Sequence, residues 1–314
     1  MKKPCIILTG PTAVGKTKLS IALAKALNGA IISADCMQVY RHMDIGSAKV
    51  TPEEMEGVPH YLINCMDPTE EFHVAAFQEM AMKAMDEIWA QGKLPIIAGG
   101  TGFYIQALLK QVDFSETSGE SEIRKRLQKE LEEQGAAAMH DRLKACDPKA
   151  AEEIHPNNSK RVIRALEYFE ETGKPISSHN EEQKEKESPY TYCYFVLNDD
   201  RARLYDRINL RVDIMMQQGL VGEVKKLMDM GLDESYVSMK GIGYKELFPY
   251  IRREMPLESC VEAIKMESRR YAKRQLTWFR REKDVIWVDK QAFGYDEEKI
   301  LAFMLDTWKK KIEE

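Results

Sequence analysis

The stretch Gly10-Pro11-Thr12-Ala13-Val14-Gly15-Lys16-Thr17 constrains the fold more than any other part of the chain. It fits the pattern G-x-x-x-x-G-K-[ST] at every fixed position. Its flanks fit as well. Cys5-Ile6-Ile7-Leu8-Thr9 reads as a short buried strand, and residues 16–27 place Leu19, Leu23 and Leu27 on one helical face. In a strand, glycine loop and helix, backbone N–H groups turn inward around an anion, and the helix N-terminus adds a favourable dipole. Lys16 supplies a point charge for phosphates, and the Thr17 hydroxyl suits Mg²⁺. The pattern leaves open whether the anion is a nucleoside triphosphate or another diphosphate.

Short apolar runs alternate with helical patterns through the first third. Ala30-Ile31-Ile32-Ser33 is a strand ending at Asp35, and Tyr61-Leu62-Ile63 is another. Leu94-Pro95-Ile96-Ile97-Ala98 runs into the turn Gly99-Gly100-Thr101-Gly102, and residues 73–91 form an amphipathic helix. This alternation predicts an α/β fold, a P-loop NTPase-like parallel sheet flanked by helices. Ligands of such sheets bind beyond the carboxyl ends of the strands, where Asp35 and Thr101 fall. From Ser115 the pattern is helical only, over residues 120–134 and 158–172, the latter closed by Gly173-Lys174-Pro175. The charge run at residues 181–187 reads as a solvated linker. Tyr192-Cys193-Tyr194-Phe195-Val196-Leu197 returns to the sheet, Val285-Ile286-Trp287-Val288 is a late strand, and residues 296–311 close the chain as a helix. The expected organisation is a core domain of residues 1–114 and 188–314, with residues 115–187 as an all-helical insertion domain.

Length and composition set outer bounds. With 314 residues and 44% hydrophobic content, global disorder is excluded, and one large or two modest domains fit. The six cysteines are scattered without a C-x-x-C pair, which argues against a zinc ribbon or disulfide framework and suits a reducing cytoplasm. No apolar run reaches the ~18 residues of a membrane span. Net charge is −5, so any nucleic-acid contact must rest on local basic patches.

Several constellations carry chemistry. A carboxylate at Asp35, just past a strand, suits a general base or a Mg²⁺ ligand. Thr101 on its glycine turn is either a helix cap or a hydroxyl presented to a ligand. Arg207 and Arg211, four apart, share a helical face and can clamp phosphate oxygens or pair with Asp206 and Asp213. Residues 269–281 carry six positive charges and no acidic residue. There Arg270, Lys273, Arg274, Thr277 and Arg281 share one face, interleaved with Tyr271 and Trp278, a pattern that suits an RNA backbone and stacked bases. Arg124-Lys125-Arg126 and Lys160-Arg161-Val162-Ile163-Arg164 add basic clusters within the insertion.

Taken together, these residues resemble the bacterial tRNA dimethylallyltransferase (tRNA isopentenyltransferase) family over nearly the whole chain. The resemblance is carried by residues 10–17, 32–40 with 43–49, 57–60, 99–107, 161–167 and 273–280 in that order. It implies transfer of the dimethylallyl group from dimethylallyl diphosphate to N6 of the adenosine just 3′ of the anticodon in tRNA. Under it, Gly10, Pro11, Thr12, Ala13, Val14, Gly15, Lys16 and Thr17 hold the diphosphate with Mg²⁺ on Thr17, rather than hydrolysing ATP. Asp35 is then the base that deprotonates the adenine amine, Thr101 assists at the leaving oxygen, and Lys16 and Arg211 hold the departing charge. Cys36, Met37 and Gln38 line the base pocket beside Asp35 and Thr101, with Cys36 standing where the family usually has serine. Arg124, Lys160, Arg161, Arg164, Lys273, Arg274 and Arg281 contact the tRNA anticodon stem-loop, on which the insertion is expected to close opposite the basic helix. A cytoplasmic monomer without membrane contact is expected. The rival reading is a small-molecule kinase using ATP in the same loop.

Overall fold

The computed structural model describes residues 2–114 and 122–313. Strand β1 (Lys3–Thr9) leads through the glycine loop into helix α1 (Lys16–Ala26) and strand β2 (Gly29–Ala34). A helical turn α2 (Pro52–Met55), strand β3 (His60–Tyr61), helix α3 (Val74–Ala90), strand β4 (Leu94–Gly99) and helix α4 (Gly102–Lys110) follow. Helices α5 (Glu122–Cys146), α6 (Pro148–Glu153), α7 (Ser159–Thr172) and α8 (Ile176–Glu185) come next. The chain then forms β5 (Tyr190–Asn198), α9 (Arg201–Gln217), α10 (Leu220–Asp229), the turn α11 (Phe248–Ile251), α12 (Leu257–Phe279), β6 (Val285–Asp289) and α13 (Glu297–Glu313).

The strands form one sheet of order β3-β2-β4-β1-β5-β6, with every neighbouring pair parallel. A parallel sheet is buried on both faces, and alternate residues of β1 serve opposite cores. Cys5 and Ile7 pack with Phe77 and Met85 of α3, Leu108 of α4 and Phe279 of α12. Ile6 and Leu8 pack with Leu19 and Leu23 of α1 and Met304 and Trp308 of α13. Register fixes what lies at the carboxyl edge. Thr9 pairs with Gly99, and Gly99 with Ala34, so Gly10, Asp35 and Gly100 leave three adjacent strands at one level.

The chain divides into two compact units, residues 1–109 with 189–314 and residues 110–188. The sequence boundary at Ser115, and the start of the helix expected at residue 120, lie outside the described residues. The second unit has its own core of Leu127, Met139, Leu143, Val162 and Leu166. Gly135, at φ 82°, breaks α5 into two helical segments. Asp147 caps α6 through the Ala150 N–H and also accepts from the Ser177 N–H and hydroxyl, tying α6 to α8.

Two sequence readings are corrected. The strand expected at residues 61–63 stops at Tyr61, because Leu62 turns the backbone to φ 61° and Asn64 to φ 54°. The charge run expected to be a linker is helical as far as Glu185, and Lys149 pairs with Glu181 within it. A run of Glu and Lys has good helix propensity and needs only one anchored face.

Candidate active site

The glycine loop closes over the end of β1 because its glycines adopt backbone conformations that other residues resist. Gly10 (φ 145°) and Gly15 (φ 102°) occupy backbone conformations that a side chain resists, and a Cβ on Gly10 would lie 2.6 Å from the Leu197 carbonyl oxygen. Lys16 opens α1, and its Nζ donates to the carbonyls of Gly10 (3.0 Å) and Pro11 (2.8 Å). Burial lowers the Lys16 pKa to about 7, the Arg211 guanidinium pushes the same way, and Asp35 opposes both. A bound anion would supply the counter-charge that returns such an amine to its charged form.

Helix α9 brings both of its candidate arginines to this loop. Arg207 donates from Nε to the Ala13 carbonyl at 2.7 Å, on the backbone of the loop. Arg211 donates to the Thr12 hydroxyl at 3.3 Å and interacts with both Asp35 and Lys16. The alternative pairing of these arginines with Asp213 fails, because Asp213 is held by Lys265 at 2.8 Å. Burial lowers the Arg211 pKa, so its guanidinium too is short of counter-charge.

One cavity is lined by Lys16, Thr17, Ser33, Asp35, Gln38 and His60, among others. The Oδ1 atom of Asp35 accepts the N–H groups of Met37 (2.8 Å) and Gln38 (3.3 Å), which fixes the carboxylate at the strand end. Its second oxygen has no hydrogen bond among the described residues. Gln38 accepts from the Ser33 hydroxyl at 3.0 Å and donates to the carbonyls of Ser47 and Ala48. Met37 packs where a Cβ on Gly241 would otherwise sit, 2.5 Å from its methyl carbon. Burial and then the nearby Asp35 push the Cys36 thiol up to about 12, so it stays protonated at neutral pH.

At Thr101 the structure bears on the capping reading. Its carbonyl accepts the N–H groups of Tyr104 and Ile105, starting α4. Its hydroxyl is buried and has no hydrogen-bond partner among the described residues, so it does not cap the helix. The Cys36 thiol and the Tyr271 hydroxyl border it. A buried hydroxyl without a partner is costly unless a bound group completes it.

The basic clusters divide into those already neutralised and those still open. On α12, Arg270 pairs with Glu267 at 2.6 Å, and Arg269 donates to the Asn209 amide oxygen. Lys273, Arg274 and Arg281 are exposed and have no carboxylate partner among the described residues. In the second unit, Arg124 (2.6 Å) and Arg164 (3.1 Å) both hold Glu167, which is wholly buried. Lys160 and Arg161 are exposed there.

Three further residues belong to the site's framework and escaped the sequence reading. Gln275 of α12 reaches the loop and the Thr101 turn together. Its signal was a polar residue on a buried stripe with Ala272 and Phe279. Lys290, just past β6, donates to the Val14 carbonyl at 3.3 Å and lies 3.8 Å from Glu297. Its position at a carboxyl strand end was the available clue. Glu223 accepts the N–H groups of Asp44, Ile45 and Gly46 and the Tyr244 hydroxyl, fixing the loop behind Gln38. Nothing local in the sequence marks it.

A phosphate loop, a positioned carboxylate and an orphaned hydroxyl on adjacent strand ends define a group-transfer enzyme built on a P-loop sheet. The family model for IPP transferase matches residues 38–282, and the chain belongs to that family. It is 60% identical over 294 residues to the tRNA dimethylallyltransferase of Lachnoclostridium phytofermentans, covering 94% of each chain. Among solved structures it resembles the full-length tRNA isopentenylpyrophosphate transferase of Bacillus halodurans, with TM-score 0.74, 45% identity and 99% of each chain covered. It also resembles a eukaryotic dimethylallyltransferase acting on tRNA, with TM-score 0.79, 33% identity, and 91% of this chain and 74% of that one covered. The resemblance read from the sequence is thereby borne out, and the kinase reading gives way.

Proposed function

We propose that this enzyme transfers the dimethylallyl group of dimethylallyl diphosphate to N6 of the adenosine 3′-adjacent to the anticodon, releasing diphosphate. The observation that carries the reading is the Thr101 hydroxyl, buried without a hydrogen-bond partner among the described residues, on the turn after β4, whose neighbours β1 and β2 lead to the phosphate loop and to Asp35. The adenine amine forms a bond to the allylic carbon as the carbon–oxygen bond to diphosphate breaks. The free oxygen of Asp35 takes the amine proton, a role general bases fill with about 10²–10⁴-fold effect. Lys16 and Arg211, both short of counter-charge, meet the negative charge that develops on the leaving oxygens. Thr101 donates to the bridging oxygen. Gln38 and Met37 border the extruded base, whose removal from the loop stack costs a few kcal/mol.

The Thr17 hydroxyl lines the same cavity as Lys16, which suits Mg²⁺. Among the described residues no three acidic, His or Cys side chains gather as a metal site, and Mg²⁺ bound chiefly through substrate phosphates needs none. When bound on Thr17, the ion neutralises diphosphate charge. The open cations Lys273, Arg274 and Arg281 favour a polyanionic acceptor over a small molecule. Among the described residues all six cysteines are free, which supports action in the cytoplasm, and no helix is long and apolar enough to cross a membrane.

The test supplies labelled dimethylallyl diphosphate and unmodified tRNA to the parent and to Asp35→Asn. Label should enter tRNA with the parent and fall about 10²–10⁴-fold in single turnover with the variant, while tRNA binding persists. ATP should compete weakly. A near-normal rate for Asp35→Asn removes that residue from the role, and tight ATP binding with hydrolysis returns the kinase reading.

A further inference from the structure

We infer that Gln275 is a positioning residue that holds the phosphate loop and the Thr101 turn in register. The inference rests on the proposed reading of that loop and of Thr101 as the groups that meet the leaving diphosphate. Gln275 is buried on the inner face of α12. Its Oε1 accepts the Thr12 N–H at 2.8 Å, and its Nε2 donates to the Gly100 carbonyl at 2.9 Å. A side-chain amide carries an acceptor and a donor on one rigid plane, and these two backbones present one partner for each.

The turn is shaped to admit it. A Cβ on Gly100 would lie 2.1 Å from the Gln275 Nε2, and a Cβ on Gly102 would lie 2.2 Å from the Trp278 ring. Neither glycine has a positive φ, so the backbone itself does not require glycine at these positions. The approach of α12 does. The glycines that flank Thr101 are therefore the counterpart of two inward side chains on that helix. Thr12 also meets Arg211 through its hydroxyl, so one loop residue links Gln275 to the groups that hold the diphosphate. Gln275 touches no reacting atom. It sets the separation between the leaving group held by the loop and the Thr101 hydroxyl, where a displacement of about 1 Å costs about 10²-fold in rate.

The test is a double-mutant cycle on the full chain, with dimethylallyl diphosphate and unmodified tRNA as substrates. Gln275→Met should lower kcat by about 10–100-fold while KM for dimethylallyl diphosphate and the tRNA Kd move by less than about threefold. In a Thr101→Ala background the same change should cost no more than about twofold, because the group that it positions is already gone. A Gln275→Met loss that adds in full to the Thr101→Ala loss overturns the proposal alone. A Thr101→Ala enzyme with parental turnover overturns the site reading beneath it. If Gln275→Met does not unfold cooperatively, Gln275→Glu keeps the shape and donates only while protonated. Its kcat should then fall with rising pH more steeply than the parent's, and a parallel profile overturns the proposal.

Discussion

Lys16 is an amine whose charge depends on what it binds. Its pKa falls from 10.5 to about 7 because it is buried and faces Arg211. Between these values the folded chain has released a proton that the unfolded chain still holds. This group's cost to stability is therefore full below pH 7 and fades as pH rises toward 10.5. Diphosphate favours the charged amine, so binding at about pH 8 should take up a proton at Lys16. Titration calorimetry with dimethylallyl diphosphate in two buffers of different ionisation enthalpy measures that uptake. Lys16→Arg stays charged throughout and should abolish it, and uptake that persists in the variant would falsify the assignment to Lys16. At this scale much of the site was legible. Lys16, Asp35 and Thr101 each follow a strand whose apolar run is easy to see, and strand ends are where such sheets bind ligands. Gln275 and Lys290 were not singled out, because their roles depend on which backbone their side chains reach across the fold. Glu223 was hidden for the same reason, its partners at residues 44–46 being distant in sequence.

Helix α12 works with two faces. Its inner face seats Ala272, Gln275 and Phe279 in the interior, and its outer face presents Lys273 and Arg274 to solvent. Arg274→Ala should weaken all tRNA substrates alike and lower the salt slope of binding by about one. Arg270→Ala should leave the slope nearly unchanged, because Glu267 already neutralises that charge. Equal slopes for the two variants would sink this division of the helix. The second unit asks for a different reading of its arginines. Arg124 and Arg164 enclose the buried carboxylate of Glu167 between α5 and α7. Arg124→Ala should destabilise that unit by about 1–3 kcal/mol, since a buried charge loses a hydrogen-bonding partner. Urea denaturation followed by helix signal measures it, and a loss of tRNA affinity with unchanged stability would assign Arg124 to RNA contact alone. Spacing identified these basic clusters but not their partners. Glu167 lies on the apolar stripe of α7, where a carboxylate is placed by the arginines that reach it and not by local pattern.

For the molecule as a whole, the constraint is charge. A chain of net charge −5 repels a polyanion except at local basic surfaces, and exposed cations with no carboxylate partner among the described residues occur in both units: Lys273, Arg274 and Arg281 in one, Lys160 and Arg161 in the other. Each unit also has a core of its own. The sheet buries β1 and β5 against each other in register from Lys3 and Tyr190 onward, while Leu127, Leu143, Val162 and Leu166 form a separate cluster. The folding of the sheet therefore does not draw on the helices of residues 110–188. Replacing that segment with a short glycine-serine linker should leave a cooperatively folded protein that binds dimethylallyl diphosphate through the intact phosphate loop. The same protein should lose tRNA binding at physiological salt, because affinity built on phosphate contacts falls steeply once several are removed. Lower salt should restore part of it through α12. The measurements are calorimetry with dimethylallyl diphosphate and filter binding of unmodified tRNA across a salt series. A truncated enzyme that modifies tRNA at the parental rate would show that α12 and the sheet suffice to hold the acceptor.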